Sequence, residues 1–144
     1  MADMSVSGLD ELMDDLEALA ALPDSVVGEI LDAEADVLVP AQQAEIQKQW
    51  RGRYSEGISA KCVKKGKLKK EPGRYVLSVY PQGTRKRGGT STRNAEIAFI
   101  NEYGAPGRGI AACPAIGTAN AKAEQEAVEA GEKVYHAYLD SKNL

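Results

Sequence analysis

The chain predicts an α+β fold, with a small, mainly antiparallel sheet packed by a long N-terminal helical segment, a short middle helix and a C-terminal helix. Apolar residues recur at three- and four-residue steps near both ends of the chain, as on one face of a helix. Between them the spacing falls to two, the period of half-buried strands. The stretches that separate these patterns are rich in Gly, Pro and charge, as turns and loops are. At 144 residues the chain has the length of one ordinary domain, so residues 1–144 are read as a single unit. Apolar residues make up 43%, but the aromatics are only one Phe, one Trp and six Tyr, so the core must be built mainly from Ala, Val, Ile and Leu.

Taken in order, Ser7 can cap a first helix in which Leu9, Leu12, Met13, Leu16 and Leu19 or Ala20 form the apolar side and Asp10, Asp14, Asp15 and Glu17 turn to water. It should stop at Pro23. A second helix is expected after Asp24, with Val27, Ile30, Leu31, Ala35, Leu38 and Ala41 on one side, running towards Trp50. Pro40 should kink or divide it, because proline removes a hydrogen bond and crowds the preceding turn. Ile58, Ala60 and Cys62, then Tyr75, Leu77 and Val79, alternate as the two strands of an antiparallel hairpin. The charged stretch from Lys64 to Gly73 would connect them. Pro81 to Arg93, with Gly83, Gly88 and Gly89 among basic residues, is expected as a flexible basic loop covering about 81–94.

Asn94 is the expected cap of a short helix holding Ile97, Ala98, Ile100 and Tyr103. Tyr103 should bury its ring, and Gly104 should end the helix in a left-handed conformation. After the 105–109 loop, Ile110 to Cys113 is expected as a third short strand. Pro114 then suits the first turn of a final helix with Ile116, Ala119, Ala123, Ala127, Ala130, Val134 and Tyr138 at helical steps.

Little in the chain points to catalysis. The single histidine, His136, has Tyr135 and Tyr138 beside it but no neighbouring nucleophile, and is read as structural. Cys62 and Cys113 are far apart in apolar surroundings, which favours buried reduced thiols over a disulfide. With His136 they show none of the close paired spacing of a zinc site. Gly104 to Gly109 follows a helix and lacks the lysine and hydroxyl of a phosphate-binding loop. No catalytic residue, metal ligand or cofactor site is therefore assigned, and an enzyme is not expected. No apolar run approaches the roughly 20 residues of a membrane span, and the first residues are acidic where a secretion signal is basic, so a protein made in the cytoplasm without membrane contact is expected.

The net charge of −3 conceals an uneven distribution: residues 1–45 carry twelve Asp or Glu and no Lys or Arg, whereas residues 46–93 carry fourteen basic residues against Glu56 and Glu71. Two solvated faces that balance each other would explain this. So would head-to-tail association, in which the acidic surface of one copy meets the basic surface of the next. Lys65, Lys67, Lys69 and Lys70 in the first basic stretch, and Arg85, Lys86, Arg87 and Arg93 in the second, are the candidate partner contacts. The same cations, with Tyr75 and Tyr80 nearby, make a small nucleic-acid-binding module the alternative, although no basic recognition helix or aromatic stacking motif accompanies them.

Two passages carry a resemblance. Gly52-Arg53-Tyr54-Ser55-Glu56-Gly57-Ile58 leads from the long helix towards the first strand. Ala95 to Gly104, ending in Glu102-Tyr103-Gly104, is followed by Ala112-Cys113-Pro114-Ala115-Ile116. In these passages and in the order of its elements the chain resembles the tail-completion, or head–tail joining, proteins of long-tailed bacteriophages. It departs from them at Cys113 and Ala115, where the family often has Arg and Phe, and at Arg53, which lacks the usual preceding threonine. Gly52, Tyr54, Gly57, Glu102, Tyr103, Gly104 and Pro114 are the motif residues to which the resemblance gives a structural role. It implies a virion assembly protein made in the bacterial host and residing in the tail or neck. Such a subunit assembles with itself as a ring, expected to be a hexamer, and meets the tail tube and the tail terminator or head-neck connector. DNA contact is not the expected main role. On this reading the 66–72 hairpin tip and the 82–93 loop should order only on docking.

Overall fold

A computed structural model describes residues 9–20, 22–51 and 60–143. The expected Ser7 cap, Ile58, and the motif residues Gly52, Tyr54 and Gly57 lie outside the described residues, as do the side chains of Leu9, Leu19 and Ala20. Mixed helix and strand, with small antiparallel sheets and long helices towards both ends, is the architecture observed.

The frame is a pair of long helices, α2 (Asp24–Gln49) and α4 (Ala115–Ser141). Glu34 lies against Gly131, Gln42 hydrogen-bonds Asn120 at 2.9 Å and Glu45 meets Lys122 at 2.7 Å, so the two run antiparallel. Ala115, Ala119, Ala123, Ala127 and Gly131 are the buried residues of α4, one every fourth position. Four-residue steps follow one ridge of a helix, and side chains this small let the two backbones approach closely. Burial in this seam pushes the Glu34 carboxyl above its ordinary value. At the other end of the seam hydrogen bonds from Lys122 and then Gln49 hold Glu45 below its own.

Of the two outcomes expected at Pro40, division of the helix does not occur: α2 is continuous through it. Pro40 and Asp36, whose carbonyl loses its helical donor, are both exposed, so the defect falls on the solvent side and leaves the seam intact. Trp50 closes the helix, its backbone N–H donating to Ile46 O at 3.0 Å. Its ring enters the core formed by Ile46, Val63, Ala98 and Ala115, against which Val39, Val79, Ile97, Cys113 and Ile116 pack.

The expected first hairpin is present, but its strands lie later and run further than the alternation predicts. Residues 60–62 form a single 3-10 turn, and pairing starts at β1 (Val63–Lys65), opposite β4 (Val79–Pro81). The stretch read as a connecting loop continues the same hairpin as β2 (Lys69–Glu71) and β3 (Arg74–Val76), closed by Pro72-Gly73. Gly66 N–H donates to Ser78 O at 2.7 Å and Lys69 is paired with Val76. Three steps on one strand thus oppose two on the other, the one-residue excess of a β-bulge around Lys67 and Leu68. Backbone pairing needs no apolar side chain, which is why a lysine-rich sequence conceals it.

Within the expected flexible basic loop the chain also forms a hairpin, β5 (Thr84–Arg87) with β6 (Thr90–Arg93). Gly88 and Gly89 make the two-residue turn with φ of +57° and +83°, the double positive φ of the type I′ turn that matches strand twist. Helix α3 (Asn94–Tyr103) has the predicted span. Asn94, however, is buried and makes no capping bond. Its amide donates to Gln82 O at 2.8 Å and ties the start of α3 to the end of β4.

The side of α3 that faces the core carries Asn94, Ala98, Asn101 and Glu102. Tyr103 lies beside it, so the expected burial of its ring does not occur: the residue is 67% exposed and packs on Phe99, ring centroids 4.8 Å apart. Gly104 has φ +76° and ψ 174°, a positive φ but not the left-handed helical conformation expected. Ile110 to Cys113 form no strand; a single bridge joins Ala105 to Ile110 around a 3-10 turn at 106–108. Pro114 occupies the position before the first residue of α4.

The first helix, α1 (Leu9–Ala20), has the predicted location. Of its apolar side, Leu12, Met13 and Leu16 are all more than half exposed.

Candidate functional site

The eight basic residues proposed as partner contacts separate into two groups. On the long hairpin Lys65 reaches back to α2, with Nζ 2.7 Å from both Asp32 and Asp36. These two bonds raise the Lys65 ammonium above its ordinary value, Asp32 contributing first. Lys70 lies 3.1 Å from Asp24, whose carboxylate also accepts the Tyr75 hydroxyl. Hydrogen bonds from Tyr75 and then Lys70 hold the Asp24 carboxyl below the usual carboxylate range. Part of the acidic-to-basic asymmetry of the sequence is thus neutralised within the chain. Arg93 is also occupied, 2.7 Å from Glu96 on the first turn of α3.

Lys67 and Lys69 form no ion pair among the described residues, and neither do Arg85, Lys86 and Arg87. Strand alternation puts Arg85 and Arg87 on one face of β5 and Lys86 on the other. On the Arg85 face the chain forms a groove of about 260 Å³, lined by Arg85 and Arg87, by Ile97 and Ile100 of α3, and by Arg108 and Ile110 of the following loop. Arg108 was not among the residues singled out in the sequence. It stands in a Pro-Gly-Arg-Gly loop that a linear reading treats as a connector, and only the return of that loop beneath β5 joins it to the other two arginines.

Glu102, Gly104 and Pro114 act as one structural unit. Cys113 N–H donates to Asn101 O at 2.8 Å, and Cys113 O accepts the Trp50 indole N–H at 2.8 Å. The segment before α4 is therefore held on both sides. This sets the first turn of α4 over Glu102, whose Oε2 accepts Ile116 N–H at 2.9 Å and whose Oε1 accepts Gly117 N–H at 2.7 Å. A carboxylate on the free N–H groups of a helix start satisfies two orphan donors and complements the helix dipole. The cap comes from another helix, fourteen and fifteen residues away in sequence, so no local capping pattern reveals it. Glu102→Gln leaves one N–H facing an amide NH2 and removes the charge, and should lower unfolding free energy by about 1–2 kcal/mol. The chemical denaturation midpoint measures this; an unchanged midpoint would remove the capping role.

His136 lies exposed on α4 beside Tyr135, and Cys62 and Cys113 are half-buried free thiols. Among the described residues no cluster of three or more His, Cys, Asp or Glu is arranged to hold a metal ion. No described helix is long and apolar enough to cross a membrane. Comparison with family models, curated proteins and solved structures returns no match.

Proposed function

We propose that this chain is a structural virion assembly protein, one subunit of a ring that completes a phage tail or joins it to the neck of the head, and that it performs no catalysis. One observation supports this reading beyond the sequence resemblance: several unlike surfaces are left exposed among the described residues. An acidic helix bears exposed leucines, a basic hairpin borders an isoleucine-lined groove, and a pair of exposed aromatics, Phe99 and Tyr103, stands on α3. A closed ring is built from heterologous contacts, which require two different patches on every subunit. In the same reading the Glu102 cap and the clamped Cys113 serve rigidity, which a ring needs more than a reaction centre.

A nucleic-acid-binding module is the second reading, and Arg85, Lys86 and Arg87 on one short hairpin, without an ion pair among the described residues, favour it. The two are separated by the solution mass of the purified chain, measured by light scattering at low and moderate salt, together with a titration against duplex DNA. A discrete ring-sized species that ignores DNA is the expected result. A monomer that binds DNA tightly at low salt and releases it steeply as salt is added would replace the assembly reading, because phosphate contacts are lost in this way.

A further inference from the structure

We propose that α1 of one copy seats in the Arg85–Arg87–Arg108 groove of a second copy and so joins subunits head to tail. The inference rests on the ring reading in taking another copy of this chain as the occupant; the two surfaces themselves are observed. At 100° per residue Leu12, Met13 and Leu16 form one stripe along α1, with Glu17 bordering it on the Met13 side and Glu11 further round the helix past Leu12. All five are exposed. An apolar stripe on an acidic helix calls for an apolar trough with basic margins.

Three grooves can be compared. The one between Tyr80, Phe99 and Ile116 has Glu102 as its charged residue, and the one between α2 and α4 has Glu34 and Glu124. Both carry the wrong sign for an acidic helix. The groove beneath β5 has three half-buried isoleucines and three arginines that have no carboxylate partner among the described residues. Its volume of about 260 Å³ suits a few aliphatic side chains. Charge margins of opposite sign around matched apolar surfaces fix register and speed encounter, while the apolar centre holds the complex. Because helix and groove lie on different parts of the subunit, each copy has one of each to offer.

The test uses the full chain in sedimentation velocity over a wide concentration range. Leu12→Gln/Leu16→Gln disables the helix at exposed positions, and Arg85→Glu/Arg87→Glu disables the groove at surface positions. The wild-type chain should associate with increasing concentration, less so in high salt. Each double variant should associate at least about tenfold more weakly. Mixed in equal amounts, the two variants should form a pair that stops at two copies, since the intact helix of one finds the intact groove of the other and the remaining ends are both disabled. That pairing also shows that both variants are folded. If both variants associate like the wild type, or the mixture forms no pair, the docking is overturned while a ring built on other surfaces stands. A wild-type chain that stays monomeric at every concentration overturns the docking and the self-assembled ring together.

Discussion

Replacing Trp50 by Ala should destabilise the fold by about 3–5 kcal/mol, a large share of the 5–15 kcal/mol that a domain of this size commands. Trp50 is 1% exposed and is among the largest fully buried side chains. Its ring fills the junction of α2, β1, α3 and the start of α4, where the neighbours are Val63, Ala98 and Ala115. Alanine and β-branched neighbours cannot collapse into a space of indole size, so the cavity persists and its lining loses dispersion contacts. The indole also supplies the donor for Cys113 O. Trp50→Phe isolates that second effect: most of the volume remains, the carbonyl loses its donor, and a loss of about 1–2 kcal/mol is expected. Urea unfolding of the two variants separates packing from hydrogen bonding. Equal losses would show that volume has little part in the role of Trp50.

Gly104→Ala should lower stability by about 3 kcal/mol or more, beyond the roughly 1 kcal/mol that a simple left-handed helix end would imply. Two effects add. At φ +76° and ψ 174° the backbone is in a region open in practice only to glycine. A Cβ there would also stand 2.7 Å from Ala112 N and 2.8 Å from Ile110 O, both backbone atoms that have no rotamer with which to yield. Gly109 provides the control within the same loop. It is left-handed, with φ +67° and ψ 22°, and has no atom within 4 Å of the added carbon. Gly109→Ala should therefore lose only about 1 kcal/mol. Matching melting curves for the two variants would eliminate the close approach as the reason for glycine at 104.

The bounds of α3 were legible because its signals are local: a polar residue opens it and a glycine closes it. The periodicity of α4 was legible for the same reason, since a helix buried along one ridge shows that ridge in its sequence. What escaped reading depends on residues far apart. Hydrogen-bonded pairing along 63–76 leaves no apolar alternation when both faces are largely wet, so Lys64 to Gly73 read as a loop. Asn94 read as a cap because its chemistry suits one, yet the nearby Gln82 carbonyl takes its amide instead. Tyr103 read as buried from an apolar count that cannot tell which of two adjacent helix faces meets the core. Within the candidate site, Arg85 and Arg87 were visible as part of a basic run. That Lys65, Lys70 and Arg93 are already paired, and that Arg108 joins the groove, follows only from tertiary proximity.

The seam between α2 and α4 also has a consequence for folding. Its two helices are the principal packing partners of the molecule, yet the Glu45–Lys122 pair spans 77 residues. The hairpin tips close over two residues each, and the Lys65 bonds to α2 span 29 and 33. Closing the longer loop carries the larger entropy loss, and contacts of high sequence separation slow the search for the native state. The hairpins and their lysine ties to α2 should therefore form first in refolding, with the alanine ridge of α4 docking last. Ala123→Gly should accordingly speed unfolding far more than it slows folding.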